Sequence, residues 1–334
     1  MSGALAVRDR NISVIIAETL AQEMELDPRI VLLGEDIGVC GGTFGATRGL
    51  LPRFGADRVR DTPISEMAFH GMAVGLAMEG YRPLVELMFV DFVGVCLEQI
   101  YNAAAKIHYM TGGRVRMPIV VKTAGGCIGS AAQHSQSLWG LFGHLPGLRV
   151  AVPSCPHDFK GMLAWALRSD DPVIFIEHRD LLMRKRSTFA HGSDVPAEPY
   201  EVGPGATAVR AGTDLTVATL GASVGHCLQA AEAVDGCEVE VIDLRTVAPL
   251  DHATVAASVA RTGRLLVVDE DYLSCGLSGE LVARVVETLG PSAVQAVARH
   301  ALPDVPIPAA ASLEAAVVPT VASIRAAMQE VLQR

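Results

Sequence analysis

Four side chains stand where apolar stretches give way to loops. Glu35 follows Ile30-Val31-Leu32-Leu33, Glu66 follows Arg58-Val59-Arg60, Phe92 follows the stretch Tyr81 to Met88, and His134 lies downstream of Pro118-Ile119-Val120-Val121. A carboxylate can hydrogen-bond a ring nitrogen, an imidazole can carry protons near neutral pH, and an aromatic ring can stack. If the apolar stretches are strands of one open α/β sheet, all four face the crevice at the strand ends. Each residue alone has a plainer reading. Glu66 reads as a first-turn acid favoured by the helix dipole, Glu35 as a capping or surface acid, and Phe92 as core. His134, set among Gln133, Ser135 and Gln136, reads as a surface imidazole. Together they suit a flat heteroaromatic cofactor, yet they bring neither a phosphate grip nor a metal site. The chain looks like half of an active site.

The elements that must position these residues follow from periodicity. Asn11 to Leu26 has the apolar spacing of an amphipathic helix. Ile30 to Leu33, Pro118 to Val121, Val150 to Pro153 and Pro172 to Ile176 are continuous apolar runs, the mark of strands buried on both faces. Pro63 turns the chain after Asp61-Thr62, Ser65 is placed to cap the next helix, Met67 to Met78, and Glu66 falls in its first turn. Gly38 to Gly49 is glycine-rich without a G-x-G-x-x-G or Walker pattern and reads as a flexible connection. Val93 to Met110 reads as one long helix stopped by Thr111-Gly112-Gly113. Strands alternating with helices predict a doubly wound, mostly parallel α/β sheet over residues 1–190. A Pro- and Gly-bearing linker over 191–205 leads to a second, smaller α/β domain over 206–334, with strands near 215–219, 239–244 and 265–269 and helices near 224–234, 252–261, 278–289 and 313–332.

Composition narrows the class. The 334 residues carry a net charge of −10 with no basic tract longer than Arg184-Lys185-Arg186, which argues against nucleic acid or an anionic membrane as partner. No apolar run suggests a membrane span, and Arg8-Asp9-Arg10 is not the flank of a signal peptide. The seven cysteines are scattered and show no C-x-x-C spacing, so neither zinc nor a redox pair is signalled, and a reducing cytoplasm is expected.

Several motifs in register over nearly the whole chain resemble one family. They are Gly34-Glu35-Asp36, Thr47-x-Gly49-Leu50 with Phe54-Gly55 and Arg58-Val59, Asp61-Thr62-Pro63-Ile64-Ser65-Glu66, Tyr109-Met110-Thr111-Gly112-Gly113, Gln133-His134-Ser135-Gln136, Pro146-Gly147-Leu148, and Val241-Ile242-Asp243-Leu244-Arg245-Thr246 with Pro249-Leu250-Asp251. The chain resembles the β subunit of the thiamine-diphosphate-dependent decarboxylating component of 2-oxo acid dehydrogenase complexes, of the pyruvate, acetoin and branched-chain types, within the transketolase-like superfamily. The resemblance implies that Glu66 hydrogen-bonds the aminopyrimidine ring nitrogen and favours its imino tautomer. It also implies that Phe92 stacks on that ring, that Ile64 (through its backbone) and Met88 line its pocket, and that Glu35 backs Glu66. His134 would orient substrate or acyl acceptor and handle protons when the acyl group passes to a lipoyl arm. The family's magnesium and diphosphate ligands, a Gly-Asp-Gly segment followed by Asn, belong to its α subunit, and no Gly-Asp-Gly occurs in this chain. The resemblance therefore implies an α2β2 heterotetramer, a 2-oxo acid substrate and docking to a lipoyl acyltransferase. Two other readings are a two-component transketolase-like enzyme passing a ketol unit to a carrier protein or sugar, and a non-catalytic assembly subunit. Relatives bind potassium through the stretch here reading Ala166 to Asp171; Ser169 replaces an Asp there, which argues against a potassium site at Ala166, Ser169 and Asp171. Asp269 stands where relatives often have His.

Overall fold

The computed structural model describes residues 9–334, so Arg8 lies outside it. The first six strands are β1 (Ile30–Gly34), β2 (Val59–Asp61), β3 (Arg82–Leu87), β4 (Val120–Gly125), β5 (Arg149–Ala151) and β6 (Val173–His178). Six more follow: β7 (Thr207–Arg210), β8 (Leu215–Thr219), β9 (Val239–Asp243), β10 (Thr246–Ala248), β11 (Arg264–Tyr272) and β12 (Ala296–Leu302). They form a seven-stranded sheet in the order β10-β5-β6-β4-β3-β1-β2 and a five-stranded sheet in the order β12-β11-β8-β9-β7. All pairs are parallel except β10 with β5 and β7 with β9. This is the expected doubly wound α/β architecture with a second, smaller α/β unit.

The central strands are apolar on both sides because helices cover both faces. On one face Leu32, Leu84, Val120 and Phe175 pack against the helices Ile12–Leu26 and Pro156–Arg168. On the other, Leu33, Val85, Val121 and Ile174 belong to a core that runs on into Ala218, Ile242 and Leu265 of the second sheet. The apolar core is thus continuous between the units.

Several local expectations change. Ser65 does not cap the helix Glu66–Met78 with its side chain; its hydroxyl donates to the Pro63 carbonyl at 3.1 Å. The stretch from Val93 to Met110 is not one helix. It is a 3₁₀ turn (Val90–Val95), a π-turn (Gln99–Ala104) and a short α-helix (Ile107–Met110), although buried Val93, Cys96, Ile100 and Ala104 keep the spacing of one helical face. The loop after β1 is anchored rather than loose: Gly38 and Val39 donate to the Asp61 carboxylate, and the buried Thr47 hydroxyl donates to the Ile37 carbonyl at 2.6 Å. The C-terminal helix breaks in two, Ala311–Val317 and Val321–Leu332, at Pro319 and the Thr320 capping box. By length and composition Ala311–Leu332 reaches the range of a membrane span, contrary to expectation, but its second half buries Ile324, Met328 and Val331 in the core of the second unit.

Candidate active site

Because β2, β1, β3 and β4 are adjacent and parallel, their C-terminal ends form one continuous rim. Glu35 leaves β1, Glu66 opens the helix after β2, Met88 leaves β3, Phe92 lies in the turn after it, and His134 lies in the loop after β4. Glu35 is half-buried, and burial together with the neighbouring Glu66 charge, then Asp36, raises its carboxyl above the ordinary carboxylate range. Its Oε1 is buried without a hydrogen-bond partner. Ile64 stands 85% exposed beside these acids, so among the described residues the Glu66 edge of the site lies open.

The other side of the rim is an aromatic box. The rings of Phe92 and His134 meet edge-on at 5.4 Å, Phe89 lies 5.0 Å from His134 and 5.4 Å from Phe92, and Phe44 from the glycine-rich loop lies 5.8 Å from Phe89. Arg179, just beyond β6, stacks over Phe89 and Phe44 at 4.7 and 5.2 Å and donates to the His134 carbonyl at 2.9 Å. Asp91 accepts from the Gln136 amide and side chain at 3.2 and 2.9 Å, which ties the His134 loop to the Phe92 turn. Gly126 opens that loop at φ 102°, and a Cβ there would lie 2.3 Å from the His178 imidazole, so only glycine fits.

The stretch around Ala166, Ser169 and Asp171 is elsewhere. Arg82, which opens β3 at the opposite, N-terminal end of the strands, donates to the Leu167 and Ser169 carbonyls at 3.2 and 2.8 Å and pairs with Asp170. Among the described residues no three His, Cys, Asp or Glu side chains cluster as a metal site would require.

Residues 9–185 match the family model for the transketolase pyrimidine-binding domain, and residues 205–324 match that for the transketolase C-terminal domain. The chain is 41% identical to the β subunit of acetoin:2,6-dichlorophenolindophenol oxidoreductase from Cupriavidus necator, over 98% of each chain. It is 40% identical to the Bacillus subtilis pyruvate dehydrogenase E1 component subunit β, over 88% of this chain and 90% of that one. It is also 40% identical to the 2-oxoisovalerate dehydrogenase subunit β of the same organism, over 94% and 96%. The chain belongs to the family of E1 β subunits. Its fold is shared more widely: a split-gene transketolase, solved as an inactive β4 tetramer, superposes with a TM-score of 0.79 at 22% identity, covering 96% of this chain and 98% of that one.

In this E1 β subunit the residues that build the box without having been singled out in the sequence are Phe44, Phe89 and Arg179. Phe89 and Arg179 carry a readable signal, since each sits at the end of an apolar strand as Phe92 does. Phe44 carries none, because its partner Phe89 is far away in the chain and the loop has no period. Nor does the sequence show that acids of β11 reach the His134 loop: Glu270 accepts from the Cys127 amide, Asp271 from the Gly140 amide at 2.8 Å, and Asp269 from the Trp139 indole at 2.9 Å.

Proposed function

We propose that this chain pairs with an α subunit, as α2β2, to form a thiamine-diphosphate-dependent E1 component that decarboxylates a 2-oxo acid, or cleaves acetoin, and hands the acyl unit to a lipoyl acyltransferase in the cytoplasm. The observation that carries this reading is the placement of Glu35 and Glu66 together at the strand ends, on the rim that also carries an aromatic box containing an imidazole. The residues fit the cofactor's pyrimidine half: an apolar wall from Met88 and Phe92, backbone near the exposed Ile64, and a carboxylate at a helix start. They do not supply the diphosphate and magnesium half, which the reading assigns to the α subunit. When bound, the cofactor supplies a carbanion-forming carbon and an electron sink for decarboxylation.

This chain's own work is proton handling and orientation. Glu66 accepts a hydrogen bond from the pyrimidine nitrogen and so holds the ring in its reactive tautomer. Glu35, whose carboxyl burial and the nearby Glu66 charge raise above the ordinary range, stands behind Glu66. Phe92 fixes the ring plane by stacking. His134, at the mouth of the crevice, delivers or accepts the proton when the acyl group moves to its acceptor. The test is Glu66→Gln in the α-bound enzyme, with pyruvate, 2-oxoisovalerate and acetoin as trial donors. Turnover should fall about 10²–10⁴-fold with assembly intact. Activity within a few-fold of wild type with cofactor bound defeats the assignment.

A further inference from the structure

The loop that carries His134 is strained and is held from outside its own domain. Between Gly126 and Gly140, Ala131 and Leu138 adopt left-handed backbone at φ 62° and 53°, one on each side of His134. Each such residue costs of order 1–3 kcal/mol and persists only where surrounding contacts fix it. Those contacts come from Asp91 and Arg179 of its own unit and, at the loop's start, middle and end, from the C-terminal unit. At the loop's start, buried Glu270 accepts from the Cys127 amide at 3.4 Å and from His178 Nε2 at 2.8 Å, and receives Ser223 at 3.2 Å. His178 in turn packs directly under Gly126. In mid-loop, Glu314 accepts from the Gly129 amide at 2.6 Å. At the loop's end, Asp271 accepts from the Gly140 amide at 2.8 Å and from its neighbour Tyr272 at 2.8 Å. Two consecutive acids of one strand thus grip both ends of a loop whose apex reaches the aromatic box.

We propose that Glu270 and Asp271 are positioning residues that set His134 against Phe89 and Phe92 for the acyl-transfer half of the reaction. The C-terminal unit thereby acts in the chemistry without touching substrate. Being a carboxylate, Asp271 gives a charge-assisted bond to the Gly140 amide, stronger than a neutral one, while Glu270 holds the loop's start through a longer contact to the Cys127 amide and through its bond to His178, which packs under Gly126. A shift of about 1 Å in a reacting group can cost about 10²-fold in rate, so loosening either end is enough. The proposal rests on the assignment of His134 above.

The test uses Glu270→Gln and Asp271→Ala, each assembled with the α subunit and saturated with cofactor. Two rates are compared: decarboxylation with dichlorophenolindophenol as electron acceptor, and acylation of a free lipoyl domain. Either substitution should lower kcat for lipoyl acylation about ten- to hundredfold. KM for the donor and the dye-linked rate should stay within about twofold, and amide hydrogen exchange over residues 126–140 should accelerate. Adding either substitution to His134→Ala should lower acylation no further, because the residue it positions is gone. Equal loss in both assays, or a further loss on the His134→Ala background, overturns the proposal in favour of a merely structural role. A damaged His134→Ala with undamaged Glu270→Gln and Asp271→Ala sinks the positioning role alone. An undamaged His134→Ala sinks the His134 assignment and the proposal with it. If Glu270→Gln fails to assemble, Asp271→Ala decides, since Asp271 is buried but lacks the His178 and Ser223 partners that Glu270 has.

Discussion

Asp269 is fully buried, with Oδ1 accepting from the Trp139 indole at 2.9 Å and the Asp271 amide at 3.0 Å, and with Oδ2 unpartnered. Burial, and then the nearby Asp271 charge, push its carboxyl from 3.8 up to about 7. The folded state therefore holds the Asp269 proton more tightly than the unfolded chain does. The stabilisation is complete below the unfolded value and is lost as pH rises through the folded one. Between those values it falls by about 1.4 kcal/mol per pH unit, to a total of roughly 4 kcal/mol. Asp269→Asn keeps an acceptor for Trp139 and cannot ionise. Its amide leaves two N–H donors at the Oδ2 position where the protonated acid leaves one O–H, so a pH-independent offset separates the two proteins and the test reads how their difference changes with pH. The variant should then gain on wild type by about 3 kcal/mol between pH 5 and pH 8, or about 6 °C in Tm at about 2 °C per kcal/mol. Glu177 and Asp243, also buried and also raised to about 7, remain in both proteins and cancel in the difference. The assay is thermal unfolding of both proteins across that pH range. A difference that stays flat within about 1 °C would show that Asp269 is charged in the fold and would refute the burial argument.

Three further outcomes are expected. His134→Ala should slow lipoyl acylation more than dye-linked decarboxylation, since the two assays share carbon dioxide loss and differ only in the acceptor; equal loss would place His134 at an earlier step. The isolated chain should not bind thiamine diphosphate at micromolar concentration with magnesium present, because its site lacks the phosphate half; calorimetric titration showing tight binding without an α subunit would refute this. Phe92→Ala should raise the cofactor concentration needed for half-maximal activity, by about fivefold to tenfold for an aromatic contact worth about 1–1.5 kcal/mol beyond area burial, and an unchanged requirement would count against stacking.

The placement of the candidate residues was legible because a parallel sheet converts a local pattern into a global position. An apolar run followed by a turn residue marks a strand end, and the parallel order β2-β1-β3-β4 brings four such ends to one rim. Glu35, Glu66, Phe92 and His134 each follow that pattern. What failed to show in the sequence had no local period to carry it. The break into 3₁₀, π and α turns after Phe89 answers to packing against the helix Glu66–Met78, where a Cβ at Gly71 would lie 3.3 Å from Gln99. The edge strand β10 crosses from the second unit to the first sheet because its partner β5 exposes an edge, and nothing in Thr246-Val247-Ala248 announces that.

The same distinction separates the residues that face the chemistry from those that hold them. Glu270 lies 143 positions from its loop amide, Asp271 lies 131 from its own, and Glu314 lies 185 away. A buried acid at such a distance reads in sequence as a charged interruption of a strand, as Asp269-Glu270-Asp271 does at the end of β11. Burying acids together is unfavourable unless each has a donor to meet. Those donors are the indole of Trp139 and the amides of Cys127 and Gly140, which flank the imidazole on the segment that carries it. A run of acids at the end of an apolar strand is therefore itself a signal. It says that something with free N–H groups must arrive from another part of the chain, and in this fold what arrives is the loop carrying His134.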